Sequence, residues 1–134
     1  MIELLLVCVT IAIVAAMAVP RYGQALSNYR ARCAAQRVAT DLAAAARAAA
    51  ASSSVRTMTF DVAKNEYQFG ADQPVRLGIE PYTSGLVSVD LGGDATINYD
   101  GYGAPDSGGT IVVRSGEATR TVTVDPITGR ASVK

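Results

Sequence analysis

The apolar run at the head of the chain, MIELLLVCVTIAIVAAMAVP, limits its folding more than any other feature. Between Leu4 and Val19 the only polar side chain is Thr10, and one acid, Glu3, stands in front of the run. Crossing the hydrocarbon core of a bilayer as a helix takes about 20 apolar residues, within a usable range of about 17 to 25. Residues 1–20 therefore read as a membrane-spanning helix. A cleaved secretory signal would carry a basic n-region, a shorter apolar core and unrelated sequence after the cut. This chain has no Lys or Arg before Arg21, and helix-forming sequence continues beyond the run.

Charge placement then poses a contradiction. Basic residues accumulate on the cytoplasmic flank of a span, yet Arg21, Arg30, Arg32 and Arg37 all lie on the C-terminal side of this one. The region beyond residue 54 has the short strands and Gly/Ser/Asp turns of an exported module. A short basic leader ahead of the first residue would reconcile the two, leaving the C-terminal part outside the cytoplasm in a single-pass arrangement.

Residues 24–51, QALSNYRARCAAQRVATDLAAAARAAAA, contain no Gly or Pro and are rich in alanine, the best helix former. One helix of about 50 residues, on the order of 75 Å long, is expected to continue from the span. Pro20 and Gly23 are its weak point, where a kink or a melted turn is expected. Steps of 100° separate two stripes. Ala31, Ala35, Val38, Leu42, Ala45 and Ala49 make a narrow face on which a sheet could lie close. Tyr22, Leu26, Tyr29 and Cys33 make a second apolar stripe, which implies a neighbour outside the chain. Arg37 and Asp41 form an i, i+4 pair of a few tenths of a kcal/mol, about 0.2–0.5.

After Ser52, Ser53 and Ser54 the hydrophobic period changes to two. Strands are expected at 56–61 (RTMTFD), 66–70 (EYQFG), 86–91 (LVSVDL), 95–99 (ATINY), 110–114 (TIVVR), 120–125 (RTVTVD) and 130–133 (RASV). Residues 72–84 and 101–109 read as irregular loops. The fold class is α+β: a helix over 1–54, its apolar half at 1–20 and its amphipathic half at 21–54, then an antiparallel, sandwich-like β head over 55–134.

Enzymatic chemistry finds little support. There is no histidine, and the two cysteines, Cys8 and Cys33, are 25 residues apart on one helix, about 37 Å and too far to bridge. No metal-ligand spacing, Walker loop or nucleophile elbow occurs, so no cofactor is expected. Asp90, Asp94, Asp100 and Asp106 sit beside glycine turns without the order of a calcium loop, and read as turn formers. Residues 55–134 carry seven basic and ten acidic side chains, a net of −3, which opposes phosphate binding. Only Arg120, Arg130 and Lys134 offer a weak positive patch for DNA, and DNA is not an expected partner.

The opening IELLLVCVTIAIVAAMAVPRY resembles the N-terminal helix of type IV pilins and type II secretion pseudopilins, in which an acid, an apolar span and a helix proline succeed one another. Glu3 matches the acid and Pro20 the proline; the leader and two mature residues would precede Met1. INYDGYGAPDSGGTIVVRSGEATRTVTVDPITGRASVK resembles the carboxyl end of the FimT minor pilins and the H-type pseudopilins, with a Gly-rich loop, a strand pair and Gly129-Arg130 before the last strand. The resemblance implies a pilin fold and a non-enzymatic filament subunit stored in the inner membrane. It also implies a prepilin peptidase acting on the leader and other pilin or pseudopilin subunits as partners. Glu3 would then meet the N-terminal amine of an adjacent subunit and set its register in the filament.

Overall fold

The computed structural model describes residues 1–134. A single helix, α1 (Ile2–Ser52), precedes eight strands: β1 (Arg56–Asp61), β2 (Glu66–Phe69), β3 (Val75–Arg76), β4 (Gly85–Leu91), β5 (Thr96–Tyr99), β6 (Gly109–Ser115), β7 (Ala118–Val124) and β8 (Ala131–Val133). The strands form two four-stranded sheets, β3-β2-β1-β5 and β4-β6-β7-β8. Every pairing is antiparallel, so the chain is α+β with one long helix.

α1 passes unbroken through Pro20 and Gly23, which corrects the expectation of a melted turn. Pro20 has no N–H for the Ala16 carbonyl, and one lost bond does not open a helix carried by alanine on both sides. The helix ends where the serines begin: Ser53 takes a left-handed φ of 47°, and its N–H turns back to the carbonyls of Ala49 and Ala50, a left-handed cap.

The expected small-residue stripe is buried throughout: Ala31, Ala35, Val38, Leu42, Ala45 and Ala49, joined by Ala34. Small side chains let strands come close, and α1 meets β6, β7 and β8 of one sheet and β1 and β5 of the other. Alternation along the strands supplies the other wall: Met58, Phe60, Tyr67, Ile97 and Tyr99 from the first sheet, Leu86, Ile111, Val113, Val122 and Val124 from the second, all in one core cluster. The stretch around residue 103 is packed rather than loose. Gly103 has φ +83°, and a Cβ there would lie 2.7 Å from the Ala46 carbonyl oxygen, so only glycine lets this loop seat on the helix.

Two departures from the expected strands are local. β3 lies inside the stretch read as irregular; it pairs Glu66 with Arg76 and Tyr67 with Val75, and the Arg76 guanidinium reaches Glu66 Oε2 at 3.3 Å. β4 carries a bulge between Leu86 and Ser88, which leaves Val87 exposed on the sheet edge.

The Arg37–Asp41 pair is tied into the head. Arg37 Nε donates to Asp41 Oδ2 at 2.9 Å, and the Tyr67 hydroxyl donates to the same oxygen at 2.6 Å. The Asp41 carboxylate holds Arg37 protonated above its ordinary range. Tyr67→Phe leaves that ion pair but removes a bond between helix and β2, and is expected to cost about 1.5–3 kcal/mol in denaturant melts, the range for hydrogen bonds to charged groups.

Tyr99 is fully buried and its hydroxyl has no partner. Burial first, then the Asp106 charge, pushes its pKa up to about 12; burial and then Asp41 raise Tyr67 as well. An unfolded tyrosine ionises near pH 10, so above that pH the folded chain keeps protons that the unfolded chain releases. Stability is full below about pH 10 and falls as pH rises toward about 12. Tyr99→Phe removes both that loss and an unsatisfied buried hydroxyl. Thermal melts should show it no less stable than wild type at about pH 7 and more stable at about pH 11.

Candidate functional site

Every residue from 1 to 25 is exposed, and burial begins only at Leu26. This segment has a mean hydropathy of 2.7 over its most apolar window, none of which is buried. Ile2, Leu6 and Met17 stand 84%, 65% and 62% exposed. A core helix of a soluble domain would bury these side chains, and an uncovered apolar surface of this size marks a contact with lipid or protein. The helix is thus long and apolar enough to cross a membrane.

Glu3 is the acid of the first turn, and no side chain caps that helix end. It forms no ion pair; the four ion pairs of the chain involve Arg37, Lys64 and Arg76. A carboxylate at this end is favoured by the helix macrodipole by about 0.3–1 kcal/mol, but in an apolar environment it needs a cation. At 1.5 Å per residue, Glu3 lies about 26 Å from Pro20 and about 34 Å from Leu26, where burial of the helix begins.

The second stripe is divided by its surroundings. Tyr22 and Tyr29 are 73% and 66% exposed, while Leu26 and Cys33 are half-buried. Tyr29 and Cys33 form one wall of an open groove of about 480 Å³, with Pro81 and Tyr82 from the β3–β4 loop opposite and Arg30, Arg37 and Asp41 among its polar margin. This loop was not legible as part of any site: nothing in its composition announces that it flanks the helix. Cys8 and Cys33 are both free.

The structure does not gather Arg120, Arg130 and Lys134 at one point. Lys134 exchanges backbone hydrogen bonds with Thr121, which places it beside Arg120. Arg130 precedes β8 next to Asp125, at the far end of β7, about 13 Å away along the strand.

Asp90 and Asp100 act as turn formers, while Asp106 ties its loop to β5. Asp100 Oδ1 accepts from the N–H groups of Tyr102 and Ala104 at 2.9 Å, and Asp90 Oδ1 from Gly93 at 3.0 Å. Asp106 receives the Asn98 side-chain amide at 2.7 Å and the Asn98 backbone N–H at 3.1 Å. Partial burial works against its charge, yet these bonds hold Asp106 below the usual carboxylate range.

One arrangement could not be found from periodicity alone. The β6–β7 turn folds back onto the helix at the end of its apolar half, where Gly116, Glu117 and Ala118 face Pro20, Gly23 and Gln24 across a cleft of about 470 Å³. The only signal was the Ser115-Gly116-Glu117 turn itself, which says where the chain reverses but not what it lands on. Comparison with protein-family models, with curated proteins and with solved structures gives no match.

Proposed function

We propose that the protein is a structural subunit of a helical surface or periplasmic filament, of the minor pilin or pseudopilin kind. The carrying observation is an apolar helical segment, residues 1–25, that is exposed along its whole length and headed by an acid, projecting from a β head whose core is complete without it. Such a segment has two covers available in sequence: the inner membrane while the subunit is stored, and the helices of other subunits after transfer. The resemblance of residues 2–22 to the pilin helix supports the same reading. Glu3 would pair with a neighbouring subunit's amine, Pro20 would mark the membrane boundary, and Tyr22, Leu26, Tyr29 and Cys33 would pack against adjacent helices. The head would stand on the periplasmic side. No catalytic step and no cofactor belong to this role.

The test is fractionation of the protein expressed in its own host. The proposal expects it in sheared filaments as well as in the inner membrane. Confinement to the membrane, in cells whose filaments are normal, would instead support a tethered periplasmic binding domain.

A further inference from the structure

The head reaches down the helix to the end of its apolar run, without an intervening spacer. Gly116, at the tip of the β6–β7 turn, has φ +57°, and a Cβ there would lie 2.8 Å from Ser27 Oγ; the turn therefore sits hard against α1. From Pro20 to Ser27 the helix rises about 10 Å, and each headgroup layer of a bilayer is about 5–8 Å thick. If α1 spans the membrane up to Pro20, the contact at Ser27 lies a few Å outside the headgroup layer, and arginine side chains at this level reach the phosphates.

The charges at this end are mostly basic and uncompensated. Arg21, Arg114 and Arg120 take part in no ion pair, against one acid on the turn, Glu117. Arg21 and Arg114 are exposed. Arg120 lies opposite Val113, on the core-facing side of β7, so its stem is half-buried and its head group is led out to the helix. Its Nη2 donates to Asn28 Oδ1 at 3.2 Å and its Nη1 to the Thr119 carbonyl at 2.8 Å. A guanidinium carries five N–H donors; those left over are fixed in place and suit a phosphate, which arginine binds through paired donors.

We infer that the β6–β7 turn and the adjoining helix segment form a membrane-docking surface, with Arg21, Arg114 and Arg120 binding phosphates of anionic phospholipids on the face from which the head emerges. The inference rests on the membrane-spanning reading of α1. It gives the basic flank after the apolar run a partner outside the cytoplasm, and it makes the stored subunit a head seated on the bilayer.

Hydrogen exchange on the full chain tests it, in vesicles of phosphatidylcholine alone or mixed with phosphatidylglycerol. The anionic lipid should slow exchange at residues 115–121 severalfold and leave β5 unchanged. Arg21→Gln, which alters a side chain without any hydrogen bond or ion pair to the head, should weaken that slowing, and adding Arg114→Gln and Arg120→Gln should remove it. Equal exchange in both vesicles, with the protein resisting alkaline extraction, would overturn docking and leave the span intact. A chain released by alkaline extraction would overturn both. Slowing by short duplex DNA as strong as that by the anionic lipid would reassign the patch to nucleic acid and overturn the lipid assignment.

Discussion

Glu3→Gln is expected to empty the protein from filaments while leaving it in the membrane. The substitution keeps the shape of the side chain and removes only its charge. In the chain itself Glu3 has no ion-pair partner, and it lies about 34 Å from Leu26, where burial of the helix begins. The head should therefore melt at the wild-type temperature. In a filament the same carboxylate would be enclosed by apolar helices and matched to an amine. Breaking such a buried pair by removing one member costs about 3–5 kcal/mol, which is at least about 100-fold in occupancy. The ratio of filament to membrane protein, wild type against variant, reads this directly. Equal incorporation would show that the acid has no part in assembly.

Leu42→Ala should have the largest effect on the head. Leu42 is fully buried in the stripe that both sheets cover, and truncating a buried leucine costs about 2–5 kcal/mol, because the cavity collapses only in part. Against a typical stability of about 5–15 kcal/mol this is a large fraction. Leu6→Ala provides the contrast within the same helix: Leu6 is 65% exposed and touches no part of the head, so its loss should shift a detergent-phase melt of the full chain by about 0.5 kcal/mol or less. Similar losses for the two would mean that the apolar first half of the helix is folded onto the head, contrary to the structure.

Those paired leucines show where the sequence was legible. A 3.6-residue period picked out residues 31, 35, 38, 42, 45 and 49 because burial of that stripe is a local matter of spacing, and all six are buried. The strands could be read from alternation and turn residues, most to within one or two positions, since each buries one face. β3 escaped because two residues have no period; it exists only where β2 offers it an edge. Tyr67 and Asp41 are 26 positions apart, and no local pattern links them. The placement of Gly116 against Ser27 is likewise a result of how β6 and β7 lie across the helix. Chemistry-bearing residues on α1 could be named from sequence, while the head residues that flank them could not.

The continuity of α1 through Pro20 has a mechanical consequence. The head grips the helix from Leu26 onward, and residues 1–25 extend from it as a stiff handle of about 37 Å. No unwound turn lies between handle and grip, so there is no slack to take up. A pull applied near Glu3 would reach the β sheets as one displacement, and a change of tilt in the buried half would swing the outer half through the same angle. The two ends of the molecule therefore share one orientation, and neither can be re-aimed without the other.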